Sequence, residues 1–206
     1  MLKVEGSKIL TNFLKRALGS NEEQSKPQLL MRYPHQIAPL VGKLEQGYLL
    51  RTYQEGDESG WMEALNANGE LGVWDLQRIR AELEGDLVQG TQFFVVVGEE
   101  IGALASVYDR TICGVKSWEI GWVASHPSHR GKGLGSHVTA RAIEAALALP
   151  RRPIVLRTDD FRIPAIKTYL KLGFVPTYNH ASYAARWQEV FSELDEQYAV
   201  FNPAKE

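Results

Sequence analysis

The stretch HPSHRGKGLGS at residues 126–136 combines glycines and basic residues in a pattern that suits anion binding. Glycine loses more conformational freedom on folding than other residues, so this density of glycines indicates close backbone approach or unusual dihedral angles. The stretch joins a predicted strand to a predicted helix, whose first N–H groups lack partners and whose dipole favours an anion. Arg130 and Lys132 add positive charge. A phosphate or pyrophosphate is therefore the predicted ligand.

Three phosphate-binding patterns were compared with this stretch. A Walker loop requires G-x-x-x-x-G-K-[ST], which the stretch does not contain. A dinucleotide fingerprint requires a third glycine where Ser136 stands, and an acidic residue at a later strand end that is also missing. The pattern [RQ]-x-x-G-x-[GA] is matched at every defined position by Arg130, Gly133 and Gly135.

The elements that position this loop follow from hydrophobic periodicity. SWEIGWVASH predicts the strand before it, and apolar residues at helical spacing predict a helix over 133–149. RPIVLRTDD predicts a strand buried on both faces. The order after residue 48 is β, α, α, β, β, β, α, β, α, β, α. Hairpin-linked strands followed by a β-α-β unit predict an α/β fold with a mixed sheet and helices on its faces.

Composition excludes several classes of function. The chain has 206 residues and a formal net charge of -2, so neither nucleic acid nor an anionic membrane is an expected partner. The single cysteine, Cys113, excludes an intramolecular disulfide and fits a reducing compartment, so we expect a cytoplasmic protein. Apolar residues at helical spacing near the N-terminus predict a basic amphipathic helix. Such a helix binds either a membrane or its own domain, and we favour packing on its own domain.

Two segments in this order resemble the GNAT N-acetyltransferase superfamily. VASHPSHRGKGLGSHV is similar to the acetyl-CoA signature of that family, and PAIKTYLKLGF is similar to its A-I-x-x-Y-x-x-x-G-F segment. The resemblance implies a three-layer GNAT-like fold with a mixed, mainly antiparallel sheet over residues 48–178. We expect residues 1–47 to form a helical N-terminal extension and linker, and residues 179–206 to form a helical tail packed on the domain.

The resemblance also implies a cofactor site and a catalytic acid. In the family, the end of the strand is splayed from its neighbour and pairs with the pantetheine arm, while the loop holds the pyrophosphate of acetyl-CoA. The residues at matching positions are Val123, Ala124, Ser125, Arg130, Gly131, Lys132, Gly133, Leu134, Gly135 and Ser136. Tyr169 stands where the family places a tyrosine that protonates the departing thiolate; packing of its ring against Phe174 or the sheet is the alternative, and both roles are compatible.

The general base is less clearly marked. Glu119 lies on the strand that leads into the loop, where family members often hold a carboxylate that takes the amine proton, commonly through water; a solvent-facing strand glutamate is the alternative. Asp159 and Asp160 are further candidates, although such a pair is often a helix cap. The sequence departs from the family twice: Arg162 replaces an asparagine that helps hold the cofactor, and Arg157 replaces a glutamate base. Arg162 either binds a phosphate or pairs with one of the two aspartates.

Three histidines close to the loop raise the question of a metal. His126 and His129 flank a turn and His137 lies in the following helix, without a second ligand cluster in the sequence. We interpret them as loop and surface histidines and expect no metal. Cys113 lies in a predicted loop without a neighbouring histidine, so the sequence does not support a nucleophilic cysteine.

These observations predict an N-acetyltransferase that moves an acetyl group from acetyl-CoA to a primary amine by direct attack. The acceptor is a small molecule or a peptide, and a homodimer is compatible with the sequence. The alternative is a non-catalytic acyl-CoA-binding sensor or scaffold.

Overall fold

A computed structural model of the chain describes residues 26–35 and 38–201. The strands are β1 (Leu29–Tyr33), β2 (Leu49–Thr52), β3 (Leu87–Val97), β4 (Glu100–Ile112), β5 (Val115–Ser125), β6 (Ile154–Thr158) and β7 (Val175–Pro176). The helices are α1 (Glu58–Asn68), α2 (Leu76–Glu84), α3 (Leu134–Ala148), α4 (Ile163–Lys171) and α5 (Tyr183–Ser192), with 3-10 turns at Pro127–His129 and Glu196–Phe201. After residue 48 this is the predicted order. None of the helices in the described ranges is long and apolar enough to cross a membrane.

The strands form one seven-stranded mixed sheet in the order β2-β3-β4-β5-β6-β1-β7. Neighbouring strands are antiparallel everywhere except between β5 and β6, which run parallel. The parallel pair is joined by α3, the crossover helix that parallel neighbours require. The predicted mixed, mainly antiparallel sheet is confirmed.

Both faces of the sheet are covered, which makes the three predicted layers. Successive residues of β3 point to opposite sides: Phe93 and Val95 belong to the core beneath α3, α4 and α5, whereas Phe94 and Val96 belong to a second core with Trp61 of α1. The run FFVVV is therefore apolar without alternation because each face of the strand meets its own helical layer.

The strand β1 was not predicted, since its residues were expected to belong to an N-terminal extension and linker. Leu29 and Met31 are fully buried, and β1 lies between β6 and β7, antiparallel to both. The predicted N-terminal helix falls within residues 1–25, outside the described residues. At the other end, α5 packs on the larger core through Trp187, and the predicted single helix is instead α5 followed by a 3-10 turn.

Candidate functional site

The strands β5 and β6 diverge at the point where the predicted cofactor loop begins. They are paired at Trp118↔Ile154 and Glu119↔Val155, and the described register contains no pair beyond these. On the other side of β5 a bulge interrupts its pairing with β4, because two β5 residues, Trp122 and Val123, oppose a single β4 residue. The backbone of residues 120–125 therefore has no strand partner on the side of β6.

The bulge is held in place by Trp122. This residue has a φ of +50°, a conformation that is strained for a bulky side chain and is typical of functional sites. Its indole Nε1 donates to Glu82 on α2 at 3.0 Å, and its ring packs edge-on against Trp74 with centroids 4.6 Å apart. These contacts offset the backbone strain at Trp122 and stabilise the bulge in the pairing of β5 with β4.

The loop after β5 presents a series of free backbone donors. Within the described residues, no hydrogen-bond partner is present for the N–H groups of Gly131, Lys132, Gly133, Leu134 and Gly135. Gly131 and Gly133 have φ values of +81° and +72°, which glycine adopts without a steric cost. At Gly135, a Cβ atom would lie 3.3 Å from the Ser125 hydroxyl. Consecutive free N–H groups at the start of α3 make an anion-binding concavity.

The other predicted cofactor residues surround this concavity. Ser136 donates its N–H to the Gly133 carbonyl at 3.0 Å, and the Leu134 side chain is buried in the core. The two loop cations stand at the rim: Arg130 donates to the Asn68 carbonyl at 3.3 Å, and Lys132 lies 3.5 Å from a carboxylate oxygen of Glu45.

A cavity of about 260 Å³ occupies the gap between the diverging strands. Four predicted site residues line it: Glu119, Val123, Arg162 and Tyr169. Ala124 does not, because its side chain lies in the smaller core on the opposite face. The remaining lining residues are Gln28, Glu70, Leu71, Arg110, Ile120, Gly121, Trp122, Arg157 and Asp159.

Glu119 is buried in a cluster of charges. Its side chain is 3% exposed, so the alternative of a solvent-facing strand glutamate is wrong. One carboxylate oxygen accepts from Arg157 Nε at 2.5 Å, and the other accepts from Arg157 Nη2 and from Arg110 Nη1, each at 3.0 Å. Both oxygens are therefore occupied by charge-assisted hydrogen bonds, which raise the pKa of Arg157.

Tyr169 reaches the cavity from α4. The residue is 6% exposed, and its ring packs edge-on against Phe174 with centroids 6.1 Å apart, which confirms the packing contact considered from the sequence. Burial raises the pKa of Tyr169 to about 12, and the charge of Arg162 opposes that rise. Among the described residues the hydroxyl has no hydrogen-bond partner. The phenol is thus protonated at neutral pH and free to donate into the cavity.

The two aspartates after β6 have different surroundings. Asp159 lines the cavity; it accepts from the Gln28 amide at 3.1 Å and lies 3.2 Å from Arg162 Nε. Asp160 instead binds Arg186 of α5, with Nε donating at 2.7 Å. Arg162 pairs with the first aspartate and also donates to the Glu70 carbonyl at 2.5 Å.

Several lining residues were not predicted. Gln28 precedes the unpredicted β1, Glu70 lies in the loop after α1, and Arg110 lies on β4. No local signal in the sequence marks a bulge at Trp122. His137 is separate from the other two histidines, since its ring nitrogens contact the carbonyls of Gly133 and Gly42 at 3.0 and 2.8 Å.

The structure combines consecutive free N–H groups at the start of α3 with a cleft between diverging parallel strands. Residues 49–174 match the model of the acetyltransferase (GNAT) family. The chain therefore belongs to this family, and the resemblance seen in the sequence is confirmed.

The similar proteins agree with this assignment. The chain is 27% identical over 166 residues to a mycothiol acetyltransferase of Thermomonospora curvata, a match that covers 77% of the chain and 55% of that protein. A mycothiol acetyltransferase of Thermobispora bispora is 25% identical over 170 residues, with 77% and 57% covered. The chain thus spans about half the length of these relatives.

Solved structures show the same fold. A GCN5-related N-acetyltransferase of Sphaerobacter thermophilus superposes with a TM-score of 0.58 at 18% identity, over 78% of this chain and 53% of the other. A GNAT-family acetyltransferase of Novosphingobium aromaticivorans gives 0.54 at 22% identity, over 73% and 60%.

Proposed function

We propose that this protein transfers an acetyl group from acetyl-CoA to the primary amine of a small molecule by direct attack. The observation that carries the proposal is the order of three features along the chain and the sheet. Five free backbone N–H groups follow the end of β5, and the edge of β5 on the side of β6 has no strand partner. This edge borders a cleft that a protonated tyrosine lines. Acetyl-CoA, which the family generally uses, carries a pyrophosphate, an extended amide-bearing arm and a thioester in that order.

The loop residues Gly131, Gly133 and Gly135 hold the pyrophosphate through their N–H groups, and Arg130 and Lys132 add charge at the rim. The unpaired backbone of β5 from Val123 to Ser125 holds the amide-bearing arm by strand-like hydrogen bonds. A β5 N–H aimed into the cleft polarises the thioester carbonyl as negative charge develops on its oxygen. Acetyl-CoA supplies the activated acyl group, and the protein supplies its position.

Tyr169 is the catalytic acid. Attack of a neutral amine on the thioester carbonyl forms the C–N bond and breaks the C–S bond, so the sulfur leaves as a thiolate and needs a proton. The phenol donates a hydrogen bond to that sulfur in the transition state, and the proton lost by the amine finally passes to the thiolate, so no net proton is left on the protein. The charge of Arg162 strengthens this donor, because it opposes the rise in the pKa of Tyr169.

For the group that takes the amine proton, we favour Asp159 over Glu119. A proton on Glu119 would displace one of three hydrogen bonds from Arg110 and Arg157. Asp159 faces the same cavity, and its side chain is 30% exposed, which allows transfer through water. Glu119 then acts as a positioning residue that holds the two guanidinium groups.

The curated relatives are named mycothiol acetyltransferases, and this supports a small-molecule acceptor rather than a peptide. A cavity of about 260 Å³ accommodates the reacting end of such an acceptor, since sites for whole drug-sized ligands run from about 300 to 1,000 Å³. The cytoplasmic location and the homodimer stay predictions.

Two measurements test the proposal. Thermal unfolding with CoA tests the cofactor site, because a ligand at 100 times its dissociation constant adds about 2.7 kcal/mol. Thiol release from acetyl-CoA over a panel of small-molecule and peptide amines tests turnover. Absence of stabilisation at millimolar CoA would refute the cofactor site. Stabilisation without thiol release from any amine would favour the sensor, an alternative supported by the engagement of Glu119 and Asp159 with arginines.

A further inference from the structure

A second cluster of functional side chains lies outside the cleft, at the start of β4. Glu100 is the first residue of β4, His126 precedes the 3-10 turn that follows β5, and His129 is the last residue of that turn. The antiparallel pairing of the two strands brings these positions together, because Ala103 opposes Ser125 and the His126 N–H donates to the Gly102 carbonyl at 2.9 Å. Glu100 was not predicted to join the histidines, because it is remote from them in the chain.

The distances among the three side chains match those between ligands of one metal ion. Glu100 Oε1 lies 3.5 Å from His126 Nδ1 and 3.1 Å from His129 Nε2, and all three ligand atoms lie within 4.8 Å of one another. Nitrogen and oxygen ligands at about 2.0–2.1 Å from a tetrahedral zinc ion are separated by about 3.3 Å. The two measured distances lie on either side of this value.

The hydrogen bonds around the histidines are compatible with a metal ion beside the carboxylate. His126 Nδ1 accepts from the Ser128 N–H at 3.3 Å, so this nitrogen carries no proton, and a metal ion would replace that long hydrogen bond at its single lone pair. His129 is 9% exposed, and its Nε2 is buried without a well-directed hydrogen bond despite its proximity to Glu100. This nitrogen presents a lone pair in the tautomer whose Nδ1 donates to the Tyr48 hydroxyl, and a cation between the two nitrogens and the Glu100 oxygen would then satisfy all three atoms.

The surroundings also fit a metal site. His129 Nδ1 is hydrogen-bonded to the Tyr48 hydroxyl at 2.8 Å, the type of outer contact that orients a ligating imidazole. A cavity of about 340 Å³ opens beside Glu100 and His126, and Glu63 and Glu99 line it. The opening provides a route of entry for an ion and room for a water ligand.

We propose that Glu100, His126 and His129 form a divalent metal site, with zinc as the ion that best matches two imidazoles and one carboxylate. Magnesium and calcium are excluded because they prefer oxygen ligands. The fourth position is open to the cavity and is filled by water. The site requires nothing from the acetyl-transfer reaction and stands independently of it.

The position of the site gives the metal a structural effect. His129 ends the 3-10 turn, and Arg130 and the free N–H groups of the predicted cofactor loop follow at once. A metal ion therefore fixes that turn to the β3–β4 hairpin and reduces the freedom of the loop. Zinc and CoA are expected to strengthen each other's binding, because the first ligand removes part of the ordering cost of the second.

Zinc titration of the metal-free chain without an affinity tag, in competition with a chromogenic chelator, tests the proposal. We expect one zinc ion per chain at micromolar affinity or better. Glu100→Gln and His126→Gln should each weaken binding at least tenfold. Glu99→Gln is the matched control, since Glu99 lines the same cavity but is not among the ligand atoms. His137→Gln is a second control and should also leave the affinity unchanged.

Cobalt(II) substitution gives an independent readout, because a tetrahedral site with nitrogen ligands has intense visible absorption bands that an octahedral aquo ion lacks. These bands should disappear in Glu100→Gln, whose exposed side chain is removable without disturbing the core. Failure of the wild-type chain to bind zinc, or equal affinity in Glu100→Gln and Glu99→Gln, would overturn the proposal.

Discussion

Replacement of Tyr169 by phenylalanine isolates the role of a single oxygen atom. Phenylalanine retains the ring and its edge contact with Phe174, so the core is preserved. The hydroxyl has no partner among the described residues, and its loss should change the free energy of unfolding by less than about 1 kcal/mol at neutral pH. A change in turnover then reports on chemistry rather than folding.

The pKa of Tyr169 decides how large the effect should be. Burial raises it to about 12, whereas a thiol has a reference pKa of about 8.5. The difference of about 3.5 pKa units makes complete proton transfer to a thiolate unfavourable by about 5 kcal/mol. Tyr169 therefore acts in the transition state mainly as a hydrogen-bond donor to the sulfur, worth about 1.5–3 kcal/mol for a charged acceptor. We expect kcat to fall about 10- to 150-fold.

Thiol release at saturating acetyl-CoA and acceptor measures kcat, and calorimetric titration with CoA measures cofactor affinity, which should not change. A kcat within threefold of wild type would remove Tyr169 from the reaction. A loss beyond about a thousandfold would contradict the hydrogen-bond account and indicate full proton transfer, whose contribution is about 10²–10⁴-fold.

Three other changes test the rest of the site. Gly133→Val places a β-branched side chain in the anion concavity, at a backbone φ of +72°. The affinity for CoA, measured by calorimetry, should fall at least 100-fold, while circular dichroism should show that the fold is retained. Glu119→Gln leaves two guanidinium groups without their carboxylate, which should lower the free energy of unfolding by about 3 kcal/mol in urea titration; an unchanged value would refute the ion-pair account. Asp159→Asn should lower kcat about 100-fold with CoA affinity unchanged; unaltered kcat would exclude Asp159 as the base.

The raised pKa of Tyr169 also predicts a dependence of stability on alkaline pH. The folded protein holds the phenolic proton up to pH about 12, whereas the unfolded chain loses it near pH 10. The contribution of this group to the free energy of unfolding is therefore complete below pH 10. It is lost as the pH rises from about 10 to 12. Over this interval the wild type should lose about 3 kcal/mol relative to Tyr169→Phe, measured as the difference between their urea midpoints. Parallel pH profiles of the two proteins would contradict the burial of the phenol.

Motifs confined to one element were predictable. The helix α3 and the glycines before it follow from residues adjacent in the chain, since backbone dihedrals, helix ends and apolar periodicity are local properties. The same holds for α4, where Pro164 lies in the first turn and Gly173 follows the end. The order of elements after residue 48 was therefore correct.

Contacts between distant segments were not predictable in this way. The strand β1 was missed because LLMRY is too short to identify without its neighbours, and only pairing with β6 and β7 makes it a strand. The pairing of Glu119 with Arg110 and Arg157 joins three strands, so the family-based hypothesis for the base could not foresee that its oxygens are occupied.

By itself, then, the sequence determined the family, the order of the elements and the loop that carries free N–H groups, because each of these is set by residues close together in the chain. Only the tertiary structure decided that arginines occupy both oxygens of Glu119, that Trp122 bends β5, and that Glu100 meets His126 and His129. The physical reason is that side-chain chemistry depends on burial and on partners, and strand pairing supplies partners from segments that no local pattern connects.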